Sequence, residues 1–215
     1  AVPTKYHRRI VVEAAGYKKH IFCEKPATLS VESLDRMIGA AEKAGVNLMI
    51  GQVVRFWPEY RTAKQMRDNG ELGELNYAYG ARLSEHPAWS EWYRRPENSG
   101  GGLFDLHLHD IDFFCWMFGE VESVFASGKK NELGCWNFVN STLNFQSGQS
   151  ASVQGVIEMT KGYPFTMELR LTGSKATYEY IMKAGANLED VASARRDTRV
   201  YGQDGARILP LDETD

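Results

Sequence analysis

The sequence lacks several features, and each absence argues against a class of function. Its 215 residues have a formal net charge of −3 and no stripe of basic side chains, which argues against nucleic acid or an anionic membrane as a partner. No apolar run is long enough to span a bilayer, and no basic-then-apolar leader opens the chain. We therefore expect a cytoplasmic protein with no membrane partner.

Cysteine is also scarce. Cys23, Cys115 and Cys135 are odd in number and far apart, which predicts free, mostly buried thiols rather than a disulfide framework or a zinc site. We expect no bound metal. The chain is long enough for one large domain or two small ones with a hydrophobic core.

Helices and strands alternate over the first fifty residues. The predicted elements are a helix capped by Thr4 and ending near Gly16, a strand at 20–23, a helix capped by Ser30 and ending at Gly45, and a strand at 47–51. A strand, a helix and a second strand in this order predict a parallel crossover unit of an α/β domain.

The pattern changes in the low fifties, which predicts two domains, 1–52 and 53–215. The second part is predicted to be an α+β domain with a large, mostly antiparallel sheet that is covered on one face. Its predicted elements are a helix at 58–69, a strand at 74–86, a polar loop at 87–102, a buried helix up to about 119, and strands at 121–127, 136–145, 150–158, 166–172 and 176–181.

A lysine follows the first predicted strand, in the tripeptide Glu24-Lys25-Pro26. Ligands of parallel sheets bind at the carboxyl ends of the strands, so Lys25 is expected to face the binding crevice. The proline disfavours a helical conformation at Lys25. An ordinary charged turn would explain the same tripeptide, and the sequence leaves that alternative open.

The segment GGGLFDLHLHDIDFFCWMFG, residues 100–119, places charged and polar side chains in a strongly apolar helix. Asp105, His109 and Asp112 are spaced to share one helical face. A carboxylate beside an imidazole orients the ring and raises its basicity, as general acid/base chemistry requires. A buried polar network without chemistry explains the pattern equally well. His107 and Asp110 point elsewhere and need only local partners.

Two further groups could bind a ligand. Arg55, at the predicted boundary, can hold a ligand oxygen or form an interdomain salt bridge. Trp89, Trp92 and Tyr93 can stack on a sugar ring or simply anchor the polar loop.

Several motifs occur in an order that resembles one family. Pro3 and His7, then GYKKHIFCEKPATLS, GQVVRFWP, GGGLFDLHLHDID and LTGSKATYEY resemble the Gfo/Idh/MocA family of NAD(P)-dependent oxidoreductases over nearly the whole chain. The resemblance implies part of a Rossmann domain, followed by an open-faced sheet domain, with the active site between them. It also implies NAD or NADP as the cofactor and a small polyhydroxy substrate, such as a sugar, an inositol or a related polyol.

The resemblance also implies roles for individual residues. His109 would take the proton of a substrate hydroxyl while hydride leaves for the nicotinamide, Asp105 would orient His109, and Lys25 would stabilise the developing alkoxide. The implied cofactor-binding residues are Pro3, His7, Glu24, Lys25, Pro26 and Arg55. The implied substrate-binding residues are Lys25, Arg55, Trp92, Asp105 and His109.

The sequence departs from the family pattern in two respects. The dinucleotide fingerprint G-x-G-x-x-G is absent, since the only glycine triplet is Gly100–Gly102, and residue 107 is His where the family often has Gly. The sequence resembles the middle and later parts of a longer enzyme, and we expect these 215 residues alone not to bind NAD(P) measurably. A non-catalytic binding or assembly module is the alternative. Alternating apolar residues on the strands predict a homodimer or homotetramer through the sheet face.

Overall fold

The computed structural model describes residues 2–86, 95–185 and 194–210. The N-terminal part comprises a 3-10 turn at Thr4–Tyr6, α1 (His7–Gly16), β1 (Ile21–Cys23), α2 (Val31–Ala44) and β2 (Leu48–Ile50). β1 and β2 pair in parallel, with Ile21 opposite Leu48 and Cys23 opposite Ile50, which confirms the predicted crossover.

The two predicted helix caps have different outcomes. Ser30 caps α2, because its Oγ accepts the backbone N–H of Ser33 at 3.3 Å. The prediction for Thr4 is wrong, since its side chain makes no capping bond and α1 begins only at His7. The backbone supplies the reason: the Tyr6 N–H donates to the Pro3 carbonyl at 2.9 Å and closes a 3-10 turn before the helix.

The larger part is built around eight strands. Its elements are a 3-10 turn at Val53–Phe56, α3 (Pro58–Asp68), β3 (Leu75–Glu85), α4 (Pro96–Ser99), a π-helical turn at Leu103–His107, α5 (Leu108–Phe118), β4 (Val121–Lys130), β5 (Trp136–Phe145), β6 (Ser150–Met159), β7 (Phe165–Gly173), β8 (Thr177–Ala184), β9 (Arg195–Gly202) and β10 (Gly205–Ile208).

The described strands of this part form one sheet in the order β10-β9-β8-β7-β3-β6-β5-β4. Its pairs are antiparallel except β3 with β6, so the predicted mostly antiparallel sheet is confirmed. Sequence reasoning missed β9, because Arg195, Arg196, Asp197 and Arg199 obscure any apolar alternation. Its pairing with β8 makes it a strand.

Helices α3 and α5 cover one face of the sheet. Their buried side chains pack with those of the strands in a single core, which includes Tyr60, Phe113, Phe114, Met167 and Tyr178. The opposite face keeps large side chains exposed, among them Tyr77, Trp136 and Phe138. The described helices include none that is long and apolar enough to cross a membrane. The three cysteines, all of them described, form no disulfide, and Cys23 and Cys135 are buried, as predicted.

Candidate active site

The glycine triplet allows the segment before α5 to lie directly on the sheet. Gly100 and Gly101 adopt positive φ angles of 75° and 73°, a region that favours glycine. The N–H of Gly102 donates to Asn137 Oδ1 at 2.8 Å, and a Cβ on Gly101 would lie 2.8 Å from the same oxygen. Asn137 Nδ2 donates in turn to Glu158 Oε1 at 2.7 Å. The start of the segment is therefore fixed on β5 and β6.

The turn that follows is not α-helical. Residues 103–107 form a π-helical turn, which is wider than an α-helical turn because its hydrogen bonds span five residues. Such turns are frequent at functional sites. Asp105 lies within this turn, and His109 lies in the α-helix that follows it.

Lys25 and Asp105 form an ion pair between the N-terminal part and the π-helical turn. Lys25 Nζ lies 2.7 Å from Asp105 Oδ1 and 3.0 Å from the Asp105 carbonyl oxygen. The two side chains are 19% and 16% exposed. An ammonium group has three N–H donors, so these two contacts leave one for a ligand oxygen. The structure thus brings together two of the three residues that the sequence suggests for catalysis.

His109 lies in the first turn of α5 and is 7% exposed. Its Nδ1 is buried and has no hydrogen-bond partner among the described residues. Burial, together with the positive charges of Arg82 and Lys25, lowers the pKa of His109 to about 2, so the ring is neutral at physiological pH. The expected orienting bond from Asp105 is not found, because Asp105 is turned towards Lys25.

Behind His109 lies a buried ion pair that sequence reasoning missed. Arg82 of β3 donates from Nε to Asp110 Oδ2 at 3.0 Å and from Nη2 to Asp110 Oδ1 at 3.3 Å. Nη2 also donates to the Tyr60 hydroxyl oxygen at 3.0 Å. The only sequence signal is that Arg82 shares the inward face of β3 with Ala78 and Ser84, which are buried.

His107 is bound to the sheet. Its Nε2 lies 2.8 Å from Ser141 Oγ, and the residue is fully buried. Burial lowers the pKa of His107 to about 4. Gly155 makes room for the ring, since a Cβ there would lie 2.9 Å from His107 Nδ1. Like Asp110, His107 has a local partner, in agreement with the expectation from the sequence.

Arg55 forms a salt bridge, but with Asp112 of the same predicted domain, 53–215, rather than the interdomain bridge that the sequence left as one alternative. Its Nε and Nη2 each lie 2.7 Å from an oxygen of Asp112, in a bidentate pair. The guanidinium also lies over the Trp116 ring, 5.8 Å from its centroid. Of the aromatic candidates, Trp92 lies outside the described residues, as do Trp89 and Tyr93.

A cleft of about 770 Å³ adjoins these residues. It is lined by residues 26–31, by Gln52 and Arg55 from the connection after β2, and by Phe104 and Leu108. Gln52 Oε1 is buried and has no partner within the described ranges, so it could accept a hydrogen bond from a ligand. No group of three or more potential metal ligands occurs in the described part of the chain.

The remaining cofactor candidates make contacts close to Lys25. Both ring nitrogens of His7 face backbone carbonyls, one of them that of Pro26 at 3.0 Å. Glu24 Oε2 accepts the backbone N–H of Lys25 at 3.3 Å. The Pro3 carbonyl is used by the turn before α1. These contacts shape the loop, and they leave His7 no ring nitrogen for a cofactor.

Comparison with known proteins places this arrangement in a family. Residues 1–52 match the family model "Oxidoreductase family, NAD-binding Rossmann fold", and residues 60–179 match "GFO/IDH/MocA C-terminal domain". The chain is 33% identical over 181 residues to a myo-inositol 2-dehydrogenase of Thermotoga maritima, covering 80% of this chain and 52% of that protein. It is 32% identical over 163 residues to a 2,7-anhydro-N-acetylneuraminate hydratase of Escherichia coli, covering 72% and 44%.

A solved structure shares the fold over the full length. It is an oxidoreductase from Agrobacterium radiobacter in complex with NAD+, L-tartaric acid and magnesium, with a TM-score of 0.80 and 19% identity, and the match covers 100% of this chain and 60% of that chain. The chain spans about half the length of the curated relatives it matches.

Proposed function

This chain belongs to the GFO/IDH/MocA oxidoreductase family, and from that premise we propose that it carries the substrate side of an NAD(P)-dependent oxidoreductase. The proposed reaction moves a hydride between the nicotinamide and a CH–OH carbon of a sugar, an inositol or a related polyol. The proposed domains are a C-terminal portion of a Rossmann domain at 1–52 and a substrate and assembly domain at 53–215.

One observation supports this proposal above the others. The Lys25 ammonium lies 2.7 Å from the Asp105 carboxylate and keeps one donor for a ligand, while the neutral His109 has a buried, unpartnered nitrogen. Oxidation of an alcohol needs a base for the hydroxyl proton and a positive charge near the oxygen. The three side chains offer both functions.

The proposed roles follow from the chemical state of each group. NAD or NADP, when bound, accepts the hydride. His109 takes the hydroxyl proton. Because its buried environment disfavours the imidazolium, His109 is a weaker base than a free imidazole, and the same environment favours return of the proton in the reverse direction. The remaining N–H donor of Lys25 stabilises the negative charge on the substrate oxygen. Asp105 holds the Lys25 ammonium in place, which differs from the orienting role suggested by the sequence.

The described residues suit the nicotinamide end of the cofactor. The cleft beside residues 26–31 is bordered by the unpartnered Gln52 Oε1, a suitable acceptor for the N–H groups of a carboxamide. No glycine-rich strand–turn–helix occurs among the described residues to hold the pyrophosphate. We therefore propose that residues 26–31, Gln52 and Arg55 border the nicotinamide only.

We propose that the chain assembles through the open face of its sheet. Phe125, Trp136 and Phe138 are 72%, 42% and 36% exposed there, and a second copy would remove this apolar surface from water. Sedimentation at several concentrations should show a dimer or a tetramer. A monomer at every concentration would contradict this assembly.

The test of the reaction is a screen of the natural gene product with NAD+, NADP+ and a panel of sugars and inositols. We expect Lys25→Met and His109→Asn each to lower turnover by about 100-fold or more, the usual contribution of a positioned acid, base or charge, with cofactor binding little changed. Lys43→Met, an exposed lysine at the end of α2, is the matched control. Near-normal turnover in either variant would remove that residue from the mechanism.

The same screen separates the alternatives. A binding or assembly module would bind a polyol without reducing either cofactor at any substrate concentration. Because one matched relative is named a hydratase, product analysis should also look for addition of water.

A further inference from the structure

His7 makes an unusual set of contacts at the start of α1, where it is 4% exposed. Its Nδ1 lies 3.0 Å from the carbonyl oxygen of Pro26 and 3.2 Å from that of Ala27. Its Nε2 lies 2.9 Å from the carbonyl oxygen of Val2. A carbonyl oxygen can only accept a hydrogen bond, so both ring nitrogens face acceptors.

The contacts join the ring to two separate stretches of backbone. Nδ1 faces the loop that follows Lys25, and Nε2 faces Val2, which precedes α1. Hydrogen bonds left unmade in a buried place are costly, so the loop is expected to lose order when the ring is removed.

We propose that His7 is a positioning residue for Lys25. Pro26 and Ala27 are the first and second residues after Lys25, so the ring fixes the loop from which the lysine side chain extends. His7 acts through the backbone of this loop, and its ring bonds go to the loop and to Val2. The loop must hold Lys25 Nζ within 2.7 Å of Asp105 for the ion pair to form.

The meaning of this arrangement for catalysis rests on the proposed function, but the arrangement itself can be tested without turnover. The first measurement is a long-range ¹H–¹⁵N correlation spectrum of the histidine rings in the 215-residue chain. We expect a ring N–H of His7 that exchanges slowly with solvent, because the residue is 4% exposed and its ring nitrogens face carbonyl oxygens. The ring of the exposed His20 is the internal control and should exchange rapidly. Rapid exchange at His7 would overturn the buried contact with the loop.

The second measurement tests positioning through the reactivity of Lys25. Acetic anhydride acylates free lysine amines, and the Lys25–Asp105 pair should slow this reaction at Lys25. We expect the acetylation rate of Lys25, followed by mass spectrometry, to rise several-fold in His7→Leu, which removes both ring nitrogens. His7→Gln, which keeps side-chain N–H donors, should give an intermediate rate, and Lys43 should be unaffected.

Circular dichroism would establish that each variant is folded. Wild-type acetylation rates at Lys25 in a folded His7→Leu chain would overturn the positioning role. If that variant does not fold, His7→Gln decides in its place, and a rate equal to that of the wild type would overturn the role equally. Neither measurement uses cofactor or substrate, so a chain with no oxidoreductase activity would still give a clear result.

Discussion

The segment from residue 103 to residue 118 uses two kinds of ion pair, and they differ in burial. Arg82 and Asp110 are 3% and 1% exposed and join α5 to the sheet, whereas Lys25 and Asp105 are 19% and 16% exposed and join the π-helical turn to the loop after β1. A buried pair holds its partners in one geometry because breaking it exposes an unpaired charge to an apolar interior. A half-buried pair can exchange one contact for a ligand or for water. The buried pair therefore fixes the helix, and the half-buried pair leaves the site adjustable.

The largest expected effect on stability comes from breaking the buried pair of Arg82 and Asp110. Arg82→Met leaves Asp110 charged and unpaired, and we expect the free energy of unfolding to fall by about 3–5 kcal/mol. Urea unfolding at pH 7 measures this value. The matched control is the double variant Arg82→Met/Asp110→Leu, which removes both charges and should recover most of the loss. A double variant as unstable as the single one would show that the cost is lost packing rather than an unpaired charge.

The second effect is the pH dependence of stability that His107 and His109, two buried histidines of the same segment, produce. Burial lowers the pKa of His107 from 6.5 to about 4, so the folded state disfavours its protonated form. The unfolded chain then binds more protons than the folded chain below pH 6.5, and stability must decrease on acidification until about pH 4. The slope is at most about 1.4 kcal/mol per pH unit. His109, whose pKa is lowered further, should add a similar slope that extends to lower pH.

Urea unfolding at pH 7, 6 and 5 would test this slope. His107→Asn should flatten the dependence between pH 6 and pH 5 by about 1 kcal/mol, because Asn does not titrate. Ser123→Ala, at an exposed position that does not titrate, should leave the slope unchanged. An unchanged slope in His107→Asn would mean that His107 is already protonated in the folded chain.

The third effect is at the hydrogen bond between His107 and Ser141, which joins the same segment to the sheet. Ser141→Ala removes the hydroxyl that lies 2.8 Å from His107 Nε2 and leaves a buried ring nitrogen without a partner. The expected loss in the free energy of unfolding is about 1–3 kcal/mol. Ser123→Ala, which removes an exposed serine hydroxyl that accepts from Asn144, should cost less than about 0.5 kcal/mol. Equal losses in the two variants would argue that His107 is not held through Ser141.

The sequence predicts those parts of the structure that depend on the periodicity of apolar residues. Strands β5 and β6 and helix α2 follow their apolar patterns closely, and the tripeptide at Lys25 lies at the end of a parallel strand as expected. The sequence also predicts in part how the polar side chains of residues 105–112 differ. Helical spacing places His107 and Asp110 on other faces than Asp105 and His109.

The rest depends on contacts that no local pattern encodes. Gly102, directly before the π-helical turn, binds to Asn137, 35 residues further along the chain. Within the turn, Asp105 contacts Lys25, 80 residues before it, rather than His109. Arg82 is a buried arginine on the inward face of β3, and only the fold shows that Asp110 neutralises it. Pairing across a long sequence separation cannot be deduced from one sequence.

The smallest expected effect is at a third ion pair of the same segment, between Arg55 and Asp112. The Arg55 side chain is 37% exposed, so water and salt screen its interaction with Asp112 despite the bidentate geometry. A double-mutant cycle with Arg55→Met and Asp112→Asn should give a coupling energy of less than about 1 kcal/mol, and this energy should fall further as salt is added. A coupling as large as that of Arg82 and Asp110, and insensitive to salt, would place Arg55 among the fixed groups. Since Arg55 borders the proposed nicotinamide cleft, a weak pair would leave its guanidinium free to turn towards a ligand, whereas a strong pair would not.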